Sequence, residues 1–404
     1  MNVLVLTGLF PERPCEKNGN FVYHQVCAVA KQGISVDVLL ATPWKPKQMN
    51  YLGFLHGRTG NGRGSESEPF RFHRAHFLSL PRNVLGLWAN PIAAGCLIPK
   101  IRALATQRRI DLIHAHNEKM AYVAVAVGRE LGIPIVVMIQ GAYTGKRLLD
   151  TPAKRAQFSD TLRGAARVVL VGTSLLEYYR HLVDSARIEI LSHGFWIPSS
   201  IVPSQRVPRV HEVRIVAAAN LDLNKGLDDL LHAISYLTFE HGVSTEAVIV
   251  GDGTERSHLL KLAGQLGIID RVTLTGQLLH PETIEEIAAG DIFCLPSWRE
   301  ACGLVYMEAM ALGKPTVGCL GQGAGDLMRD CETGYLVQPR NVQALTKTLL
   351  DIVENPGRAR QIADRGQKHA WADLTWDNNA AKLVRTYEDV LKSAVNQPLR
   401  TIPE

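Results

Sequence analysis

Two glutamates in the second half of the chain, Glu300 and Glu308, lie in a segment whose residue types could bind a polyhydroxylated ligand. The segment reads DIFCLPSWREACGLVYMEAMALGKPTVG and predicts a strand followed by a helix that begins at Cys302 or Gly303. A helix N-terminus offers unpaired N–H groups and a partial positive charge, so Gly303–Val305 could bind a phosphate. Because helical side chains point back toward the N-terminus, Glu308 could reach the same ligand. A phosphate beside two carboxylates that accept hydroxyl hydrogen bonds indicates a nucleotide-sugar.

The alternative for the two glutamates is an ordinary solvated position, one on a loop and one on a helix surface. The neighbours of Glu308 argue against it, because they form the strongly apolar run MEAMAL. An acid in such surroundings needs a polar partner.

A second segment, VRIVAAANLDLNKGLDDLLHAI, predicts another strand, a short polar loop and a helix that opens near Gly226. Lys225 adds a cation at that helix start. If the two helix starts face each other, they could bind a diphosphate from opposite sides. A lysine at a helix start is a weak signal by itself, and the glutamate segment strengthens it.

Short apolar runs alternate with longer amphipathic segments along the chain, which predicts doubly wound α/β units with parallel sheets. The pattern restarts after a proline-containing stretch. We therefore expect one domain over residues 1–196, a linker over 197–212 and a second domain over 213–376. An amphipathic helix in residues 377–404 is expected to pack back on the first domain. The predicted strands are Asn2–Thr7, Ser35–Leu40, Asp111–Ala115, Ile135–Ile139, Arg167–Val171, Ile188–Leu191, Val213–Ala218, Ala247–Val250, Val272–Thr275, Ile292–Leu295 and Thr316–Gly318.

Residues 44–90 interrupt this pattern with six glycines, several basic residues and few apolar runs. We interpret the stretch as a long loop that is mobile around Thr59–Glu68. Long loops of this kind can serve as lids or acceptor-binding loops, and plain disorder is the alternative.

The composition bounds the class of protein. Of the 404 residues, 46% are hydrophobic and 21% are charged, which excludes a disordered, collagen-like or coiled-coil chain. The net charge of +5 divides into +11 over residues 1–198 and −6 over residues 199–404. The basic half could meet an anionic partner, such as an acceptor on a lipid diphosphate or a membrane surface, with random drift as the alternative. Its clustered basic residues are Lys45, Lys47, Arg58, Arg63, Arg71, Arg74, Lys146, Arg147, Lys154 and Arg155.

Several other classes of site are not indicated. The seven cysteines are scattered and never spaced Cys-x-x-Cys, which is typical of a reduced cytoplasmic protein without a zinc site. The sequence predicts neither a signal peptide nor a membrane span, so we expect a cytoplasmic protein with peripheral contact at the inner membrane face. Asp-x-Asp does not occur, so no metal and no other cofactor is expected. Aromatic and basic residues do not interleave, which disfavours nucleic acid as a partner.

Together these segments resemble the retaining glycosyltransferase family 4, also called group 1, whose members have the GT-B fold. The E-x7-E motif of that family is matched by Glu300 and Glu308, and its phosphate loop by ANLDLNKG. The segments VGDG at Val250–Gly253 and GYLV at Gly334–Val337 fit as well. In the first half, NGNFVYHQVCAVAKQGISVDVL and DLIHAHNEKMAYVAVAVGRELGIPIVV resemble the teichuronic-acid and exopolysaccharide subgroup. The resemblance covers nearly all of the chain except residues 44–90.

The resemblance implies a nucleotide-sugar donor, with UDP as the expected nucleotide and GDP as the second choice. It assigns the donor sugar's hydroxyls to Glu300, the ribose to Glu308, and the diphosphate to Lys225 with the N–H groups of the helix start. His116, the second histidine of HAHN, would act with Glu300 and Lys225 in catalysis, beside the anomeric carbon. Its alternative is a satisfied histidine that ends a buried strand. The implied donor-binding residues are Gly19, Asn220, Lys225, Gly276, Glu300, Cys302, Gly303, Leu304, Val305 and Glu308.

Three positions depart from the family pattern. Asn220 replaces the phosphate-binding arginine, so diphosphate binding would depend more on Lys225 and the helix ends. Gln140 replaces a histidine before a glycine and bears on sugar or acceptor choice. Asp326 replaces the glutamate of a G-G-x-x-E segment, with a shorter carboxylate.

The predicted activity is transfer of a sugar to a saccharide or lipid-linked saccharide acceptor in polysaccharide biosynthesis, by front-face attack with retention of configuration. Two other classes stay open. A nucleotide-sugar epimerase of the same fold would form an epimer without any acceptor. A non-catalytic binding protein, which Asn220 and Gln140 motivate, would bind nucleotide without turnover.

Overall fold

The computed structural model describes residues 1–11, 19–44, 68–79, 86–141, 151–201 and 213–396. The first sheet has seven parallel strands in the described residues: β1 (Asn2–Thr7), β2 (Ser35–Trp44), β3 (Arg71–Leu78), β4 (Leu112–His116), β5 (Ile135–Ile139), β6 (Arg167–Leu170) and β7 (Ile188–Ile190). They lie in the order β3-β2-β1-β4-β5-β6-β7. The helices of this domain are α1 (Asn20–Lys31), α2 (Ala89–Gln107), α3 (Asn117–Leu131), α4 (Pro152–Arg163) and α5 (Leu176–Tyr179).

The second sheet has six described strands, again all parallel: β8 (Val213–Ala218), β9 (Thr245–Val250), β10 (Val272–Gly276), β11 (Ile292–Cys294), β12 (Thr316–Cys319) and β13 (Tyr335–Val337). Their order is β10-β9-β8-β11-β12-β13. The helices are α6 (Leu227–Phe239), α7 (Arg256–Gln265), α8 (His280–Ala289), α9 (Leu304–Ala311), α10 (Gly323–Leu327), α11 (Val342–Glu354) and α12 (Pro356–Asp373).

The predicted fold class, two Rossmann-like α/β domains with doubly wound parallel sheets, is confirmed. In each sheet the strand order reverses once, between β1 and β4 in the first domain and between β8 and β11 in the second. Every residue of β4 and β5 is buried, because helices cover both faces of the sheet. This burial explains the continuous apolar runs in the sequence. Doubly wound sheets bind ligands beyond the carboxyl ends of the strands, at the point where the order reverses.

Strand β3 corrects the interpretation of residues 44–90 as one irregular loop. It pairs in parallel with β2, so that Asp37 lies opposite Arg71. The Arg71 guanidinium and the His73 imidazole contact the Asp37 carboxylate at 2.7 Å and 2.8 Å. An edge strand keeps one side in solvent, so polar residues replace the apolar run that would have marked it in the sequence. Nearly all of the predicted mobile stretch, Thr59–Glu68, lies outside the described residues.

The last helix, α13 (Trp376–Asn396), packs on the first domain against α1. The Asn379 amide donates to the carbonyl oxygen of Ser192 at 2.6 Å and accepts a hydrogen bond from Gln25 at 2.9 Å. The Tyr387 hydroxyl lies 2.7 Å from Nδ1 of His114. The chain therefore returns to the first domain after the second domain is complete. The exact residues at which the domains begin and end stay a prediction.

No helix within the described ranges is both long enough and apolar enough to cross a lipid bilayer.

Candidate functional site

A cleft lies where the carboxyl ends of the two sheets meet. The chain segments after β1 and β7 of the first domain and after β8, β9 and β10 of the second line one cavity of about 260 Å³. The first turn of α9 and the first residue of α13 complete its wall. The lining residues are Asn20, Phe21, His24, Gly194, Phe195, Trp196, Ala218, Ala219, Asn220, Val250, Gly251, Gln277, Leu278, His280, Thr283, Leu304, Val305, Glu308 and Trp376.

Seven of the predicted donor-binding residues lie at this cavity or next to it in the chain. Those in its wall are Asn220, Leu304, Val305 and Glu308. Three glycines, Gly19, Gly276 and Gly303, directly precede wall residues and have φ values of 80°, 78° and 76°. A Cβ atom on Gly19 would lie 2.6 Å from the backbone nitrogen of Phe10. Only glycine permits this backbone conformation at such a close approach.

The two predicted catalytic residues of the second domain contact each other. The Lys225 ammonium lies 2.7 Å from Oε2 of Glu300, and both side chains are 16% exposed. A lysine has three N–H donors, so this bond leaves others for a phosphate. The contact joins the two segments predicted to bind a diphosphate, one at each predicted helix start.

Backbone packing fixes this pair. Lys225 ends a short 3₁₀ turn, and Gly226 follows with φ of 67°. A Cβ atom on Gly226 would lie 2.1 Å from the carbonyl oxygen of Pro296, so the glycine lets the turn lie against the segment before Glu300. The Asn224 amide donates to the carbonyl oxygen of Arg299 at 2.9 Å. The Lys225 turn and the Glu300 segment therefore form one packed unit.

Glu308 has a partner that sequence reasoning missed. Nε2 of His280 lies 2.7 Å from Oε1 of Glu308, and the two side chains are 19% and 9% exposed. His280 is the first residue of α8, and both residues line the cavity. No local pattern connects these positions, which are 28 residues apart. The contact with His280 fixes the position of the Glu308 carboxylate in the cavity wall.

A stack of rings crosses the cleft and was also missed from sequence. Trp196 stacks between His24 of α1 and His280 of α8, with centroid distances of 5.3 Å and 5.1 Å. The indole of Trp376 also stacks with His24, at a centroid distance of 6.2 Å. Burial, with smaller effects from His280 and Lys31, lowers the pKa of His24 to about 4. The stack therefore presents a neutral imidazole and apolar ring faces to the cavity.

The N-terminus of α9 has the backbone form expected of a phosphate-binding helix start. Gly303 precedes the helix with φ of 76° and ψ of 72°, and no side chain caps the helix at that residue. A Cβ atom on Gly303 would lie 2.4 Å from the Tyr306 ring and 3.2 Å from Cγ of Glu300. Tyr306 is fully buried and donates its hydroxyl hydrogen bond to the carbonyl oxygen of Leu295 at 2.6 Å. The ring therefore fixes the start of the helix beside Glu300.

Two predicted site residues have buried side chains that are not among the described residues of the cavity wall. The Cys302 thiol is buried, and burial raises its pKa to about 12, so only its backbone could serve a ligand. The His116 ring is fully buried, and burial, with His114 and His193 nearby, lowers its pKa well below the usual value. The Gln140 amide nitrogen lies 2.5 Å from its Nδ1. Its Nε2 has no hydrogen-bond partner among the described residues.

No group of three or more histidine, cysteine, aspartate or glutamate side chains in the described residues is arranged to bind a metal ion. The expectation that the reaction needs no metal stays a prediction.

Two Rossmann-like domains that meet across a ligand cleft define the GT-B class of architecture. The family model described as "Glycosyltransferase Family 4" matches residues 19–195, and the model described as "Glycosyl transferases group 1" matches residues 204–369. The chain therefore belongs to the group 1/family 4 glycosyltransferases.

Its curated relatives include a glycogen synthase of Mycobacterium tuberculosis, which is 24% identical over 100% of this chain and 98% of its own length. The MMP alpha-(1->4)-mannosyltransferase of Mycolicibacterium hassiacum is 26% identical over 93% of this chain and 95% of its own length. These relatives support an activity of sugar transfer in glycan biosynthesis.

Solved structures share the fold. Sucrose-phosphate synthase from Thermosynechococcus elongatus superimposes with a TM-score of 0.74 at 18% identity, over 97% of this chain and 99% of its own. Anabaena HepE in complex with UDP-glucose superimposes with a TM-score of 0.67 at 18% identity, over 96% of this chain and 100% of its own.

Proposed function

We propose that this protein transfers a sugar from a UDP-linked donor to a saccharide or lipid-diphosphate-linked saccharide acceptor, with retention of configuration, in polysaccharide biosynthesis. The observation that carries the proposal is the arrangement of the two glutamates about the start of α9. Glu308 lines the cavity beside the first turn of that helix, while Glu300 lies at its start in contact with Lys225. This arrangement supports the expected division into a ribose site and a sugar site with a diphosphate between them.

In the proposed complex, the ribose hydroxyls donate to Glu308, which His280 orients. The backbone N–H groups of Leu304 and Val305 and the ammonium of Lys225 hold the diphosphate, since helix N-termini and cations favour bound anions. Glu300 accepts hydrogen bonds from the donor sugar. The solved complexes of HepE with UDP and with UDP-glucose support this class of donor.

The chemistry follows from bond polarity. The C–O bond between the anomeric carbon and the diphosphate breaks, and its electron pair leaves with the phosphate. Lys225 and the α9 N-terminus stabilise this growing negative charge, which is electrostatic catalysis. The acceptor hydroxyl forms the new C–O bond on the same face, and its proton passes to the departing phosphate oxygen. These residues supply the required positive charge, so the proposal invokes no metal ion and no other cofactor.

The roles of the other predicted site residues are proposed from where each residue lies relative to the cavity. Gly19 and Gly276 let the backbone approach the ligand closely, and Asn220 contributes a neutral side chain at the cavity. Cys302 would contribute only its backbone. For His116 the support is its unsatisfied Nε2: because the Gln140 amide donates to Nδ1, the neutral ring carries its proton on Nε2. A sugar hydroxyl that reached this nitrogen would satisfy a buried donor.

The acceptor is proposed to bind the first domain, at the cytoplasmic face of a membrane. Of the clustered basic residues, Arg71 and Arg74 lie on β3 and Lys154 and Arg155 on α4, and the other six lie outside the described residues. Arg71 already pairs with Asp37, so it contributes little free charge. Flotation with anionic vesicles at low salt, repeated after charge reversal at Arg74 and Lys154, tests this part. Equal weak binding by both proteins would refute it.

The activity itself is tested by incubating the protein with UDP-, GDP- and ADP-sugars, with and without saccharide acceptors, in the presence and absence of EDTA. We expect turnover with a UDP-sugar that EDTA does not abolish, and a product whose anomeric configuration by NMR matches the donor. An epimer formed without acceptor would favour the epimerase, and binding without turnover would favour the non-catalytic protein.

A further inference from the structure

The loop after β6 is a first-domain segment that contacts the catalytic segment of the second domain. The backbone nitrogen of Thr173 donates to Oδ2 of Asp326 at 2.6 Å, and its hydroxyl donates to Oδ1 at 2.5 Å. The next residue, Ser174, donates its hydroxyl hydrogen bond to the backbone carbonyl of Glu300 at 2.9 Å. One loop therefore touches both α10 and the residue expected to bind the donor sugar.

Gly172 brings this loop into contact. Its backbone is extended, with φ of −170°, so the conformation itself does not require glycine. The close approach does: a Cβ atom at this position would lie 1.9 Å from the carbonyl oxygen of Ala301 and 3.0 Å from Oδ2 of Asp326. Both contacts belong to the second domain. Any side chain at position 172 would therefore separate the two domains at the Glu300 segment.

The Glu300 backbone is held from both domains. Within the second domain, the Gly323 nitrogen donates to the Glu300 carbonyl at 3.0 Å, and the Glu300 nitrogen donates to the Gln322 side chain at 3.2 Å. Ser174 adds a second donor to the same carbonyl from the first domain. With its backbone fixed on these sides, Glu300 directs its carboxylate to Lys225.

We propose that Gly172, Thr173, Ser174 and Asp326 form an interdomain latch that positions Glu300 for sugar transfer. Electrostatic catalysis depends on groups that are in place before charge develops, and displacement by about 1 Å can cost about 10²-fold in rate. Thr173 and Asp326 are exposed to solvent, where hydrogen bonds are of modest strength. The latch can therefore open to admit a donor and reform over it. The latch rests on the proposed function, in which Glu300 binds the donor sugar.

The contact with Thr173 indicates what Asp326 does in this protein. Asp326 stands where the family that this chain resembles has a glutamate, which has a longer side chain. Here the carboxylate accepts from a backbone N–H and a hydroxyl of the same residue, so the two oxygens are used together. Asp326 and Thr173 are thus positioning residues, which act through the Glu300 segment.

The test compares Gly172→Ala, Thr173→Ala, Asp326→Ala and the double variant with the wild-type protein. We expect kcat to fall by about 10²-fold in Gly172→Ala. UDP affinity should stay within about twofold, because the groups proposed to hold the ribose and the diphosphate, namely Glu308, the α9 N-terminus and Lys225, lie in the second domain. Asp326→Ala, which removes both hydrogen bonds, should lower kcat more than Thr173→Ala, which keeps the backbone N–H donor, and the double variant should match Asp326→Ala. Thr173→Ser, which keeps the hydroxyl, should restore most of the activity.

The matched control is Gly264→Ala, in α7, where a Cβ atom would meet nothing within 4 Å. It should retain full kcat. The latch is overturned if Gly172→Ala keeps wild-type kcat, if the two alanine variants have additive effects, or if UDP affinity falls in parallel with kcat.

A ligand-free measurement separates failure of the latch from failure of the proposed function. Small-angle X-ray scattering should give a larger radius of gyration for Gly172→Ala than for the wild type, and no change for Gly264→Ala. If no nucleotide-sugar is turned over by the wild type, the proposed function fails while scattering still reports on the domain contact. An unchanged radius in Gly172→Ala would refute the latch by itself.

Discussion

The ammonium of Lys225 lies 2.7 Å from the carboxylate of Glu300, and each side chain is 16% exposed. The two residues come from loops 75 positions apart in the chain. Their contact places a positive charge and a hydroxyl acceptor side by side at the start of α9. In a nucleotide-sugar the diphosphate is bonded directly to the sugar. Its binding site therefore requires a cation for the phosphate next to an acceptor for the sugar hydroxyls. The pair is therefore a preformed part of the proposed donor site.

Replacing Lys225 with methionine should lower kcat/KM by about 10²-fold, because the variant removes the cation from the position where the leaving diphosphate gains charge. Steady-state kinetics with the accepted nucleotide-sugar measures this. The matched control is Arg102→Gln, which breaks an exposed ion pair with Glu130 at 2.6 Å in the first domain. Exposed pairs contribute little, so this variant should keep kcat/KM within about twofold. Equal losses in the two variants would contradict a catalytic role for Lys225.

His280→Ala should weaken donor binding more than it slows the chemical step. The imidazole contacts the Glu308 carboxylate at 2.7 Å, and hydrogen bonds to charged groups contribute about 1.5–3 kcal/mol. We expect the donor KM to rise by about tenfold or more with kcat nearly unchanged, since the ribose does not change during reaction. His258→Gln, which disrupts the more exposed contact with Asp228 at 3.0 Å, serves as the control. A loss confined to kcat would show that His280 acts elsewhere.

Acidification should destabilise the protein between about pH 6.5 and pH 4. Burial lowers the pKa of His24 and His193 to about 4 and of His114 to about 3, and burial with neighbouring histidines lowers the pKa of His116 well below its usual value. In this window the unfolded chain binds protons that the folded chain does not, so stability falls as the pH falls. Each such proton contributes about 1.4 kcal/mol per pH unit.

Urea unfolding at pH 7.5, 6.5 and 5.5 measures this slope. His193→Gln should reduce the slope, because it removes one of the buried titrating groups. The exposed His241 provides the control, since His241→Gln should leave the slope unchanged. A free energy of unfolding that is constant from pH 7.5 to pH 5.5 would refute the prediction.

Gly303→Ala should reduce both stability and activity. The residue has φ of 76°, and its Cβ atom would lie 2.4 Å from the buried Tyr306 ring. Gly242→Ala shares the left-handed backbone, with φ of 67°, but its Cβ atom would meet nothing within 4 Å. Both variants incur about 1–2 kcal/mol for the backbone conformation, and only Gly303→Ala must also displace Tyr306 and Glu300. Equal unfolding free energies and equal kcat values for the two variants would contradict this reasoning.

The central part of the fold could be predicted because its strands are buried on both faces. β1, β5 and β8 have the predicted bounds, since a parallel strand covered by helices is a continuous apolar run. β3 was missed for the opposite reason. Its Arg71 and His73 are polar, and their partner Asp37 lies in another strand. Such a strand becomes recognisable only once its neighbour in the sheet is known.

The candidate site likewise contains some residues that the sequence predicts and others that it does not. The placement of Glu300 and Glu308 about one helix start could be predicted because both lie in one strand-to-helix segment, while their roles toward a donor stay predictions. The partner of Glu308 could not, because His280 approaches from the start of another helix. The burial of His116 at the end of β4 agrees with the alternative of a histidine that ends a buried strand, but its contact with Gln140 depends on three-dimensional packing that no local pattern reports.

The most direct test of the proposed donor site is calorimetric titration of UDP into the wild-type protein and into Glu308→Ala. We expect UDP to bind the wild type and to bind Glu308→Ala at least about tenfold more weakly, because a ribose hydroxyl loses a charged acceptor. Glu332→Ala, which removes an exposed carboxylate paired with Arg329, should bind UDP as the wild type does. The central claim would be contradicted if the wild type bound none of UDP, GDP and ADP, or if Glu308→Ala bound UDP with unchanged affinity.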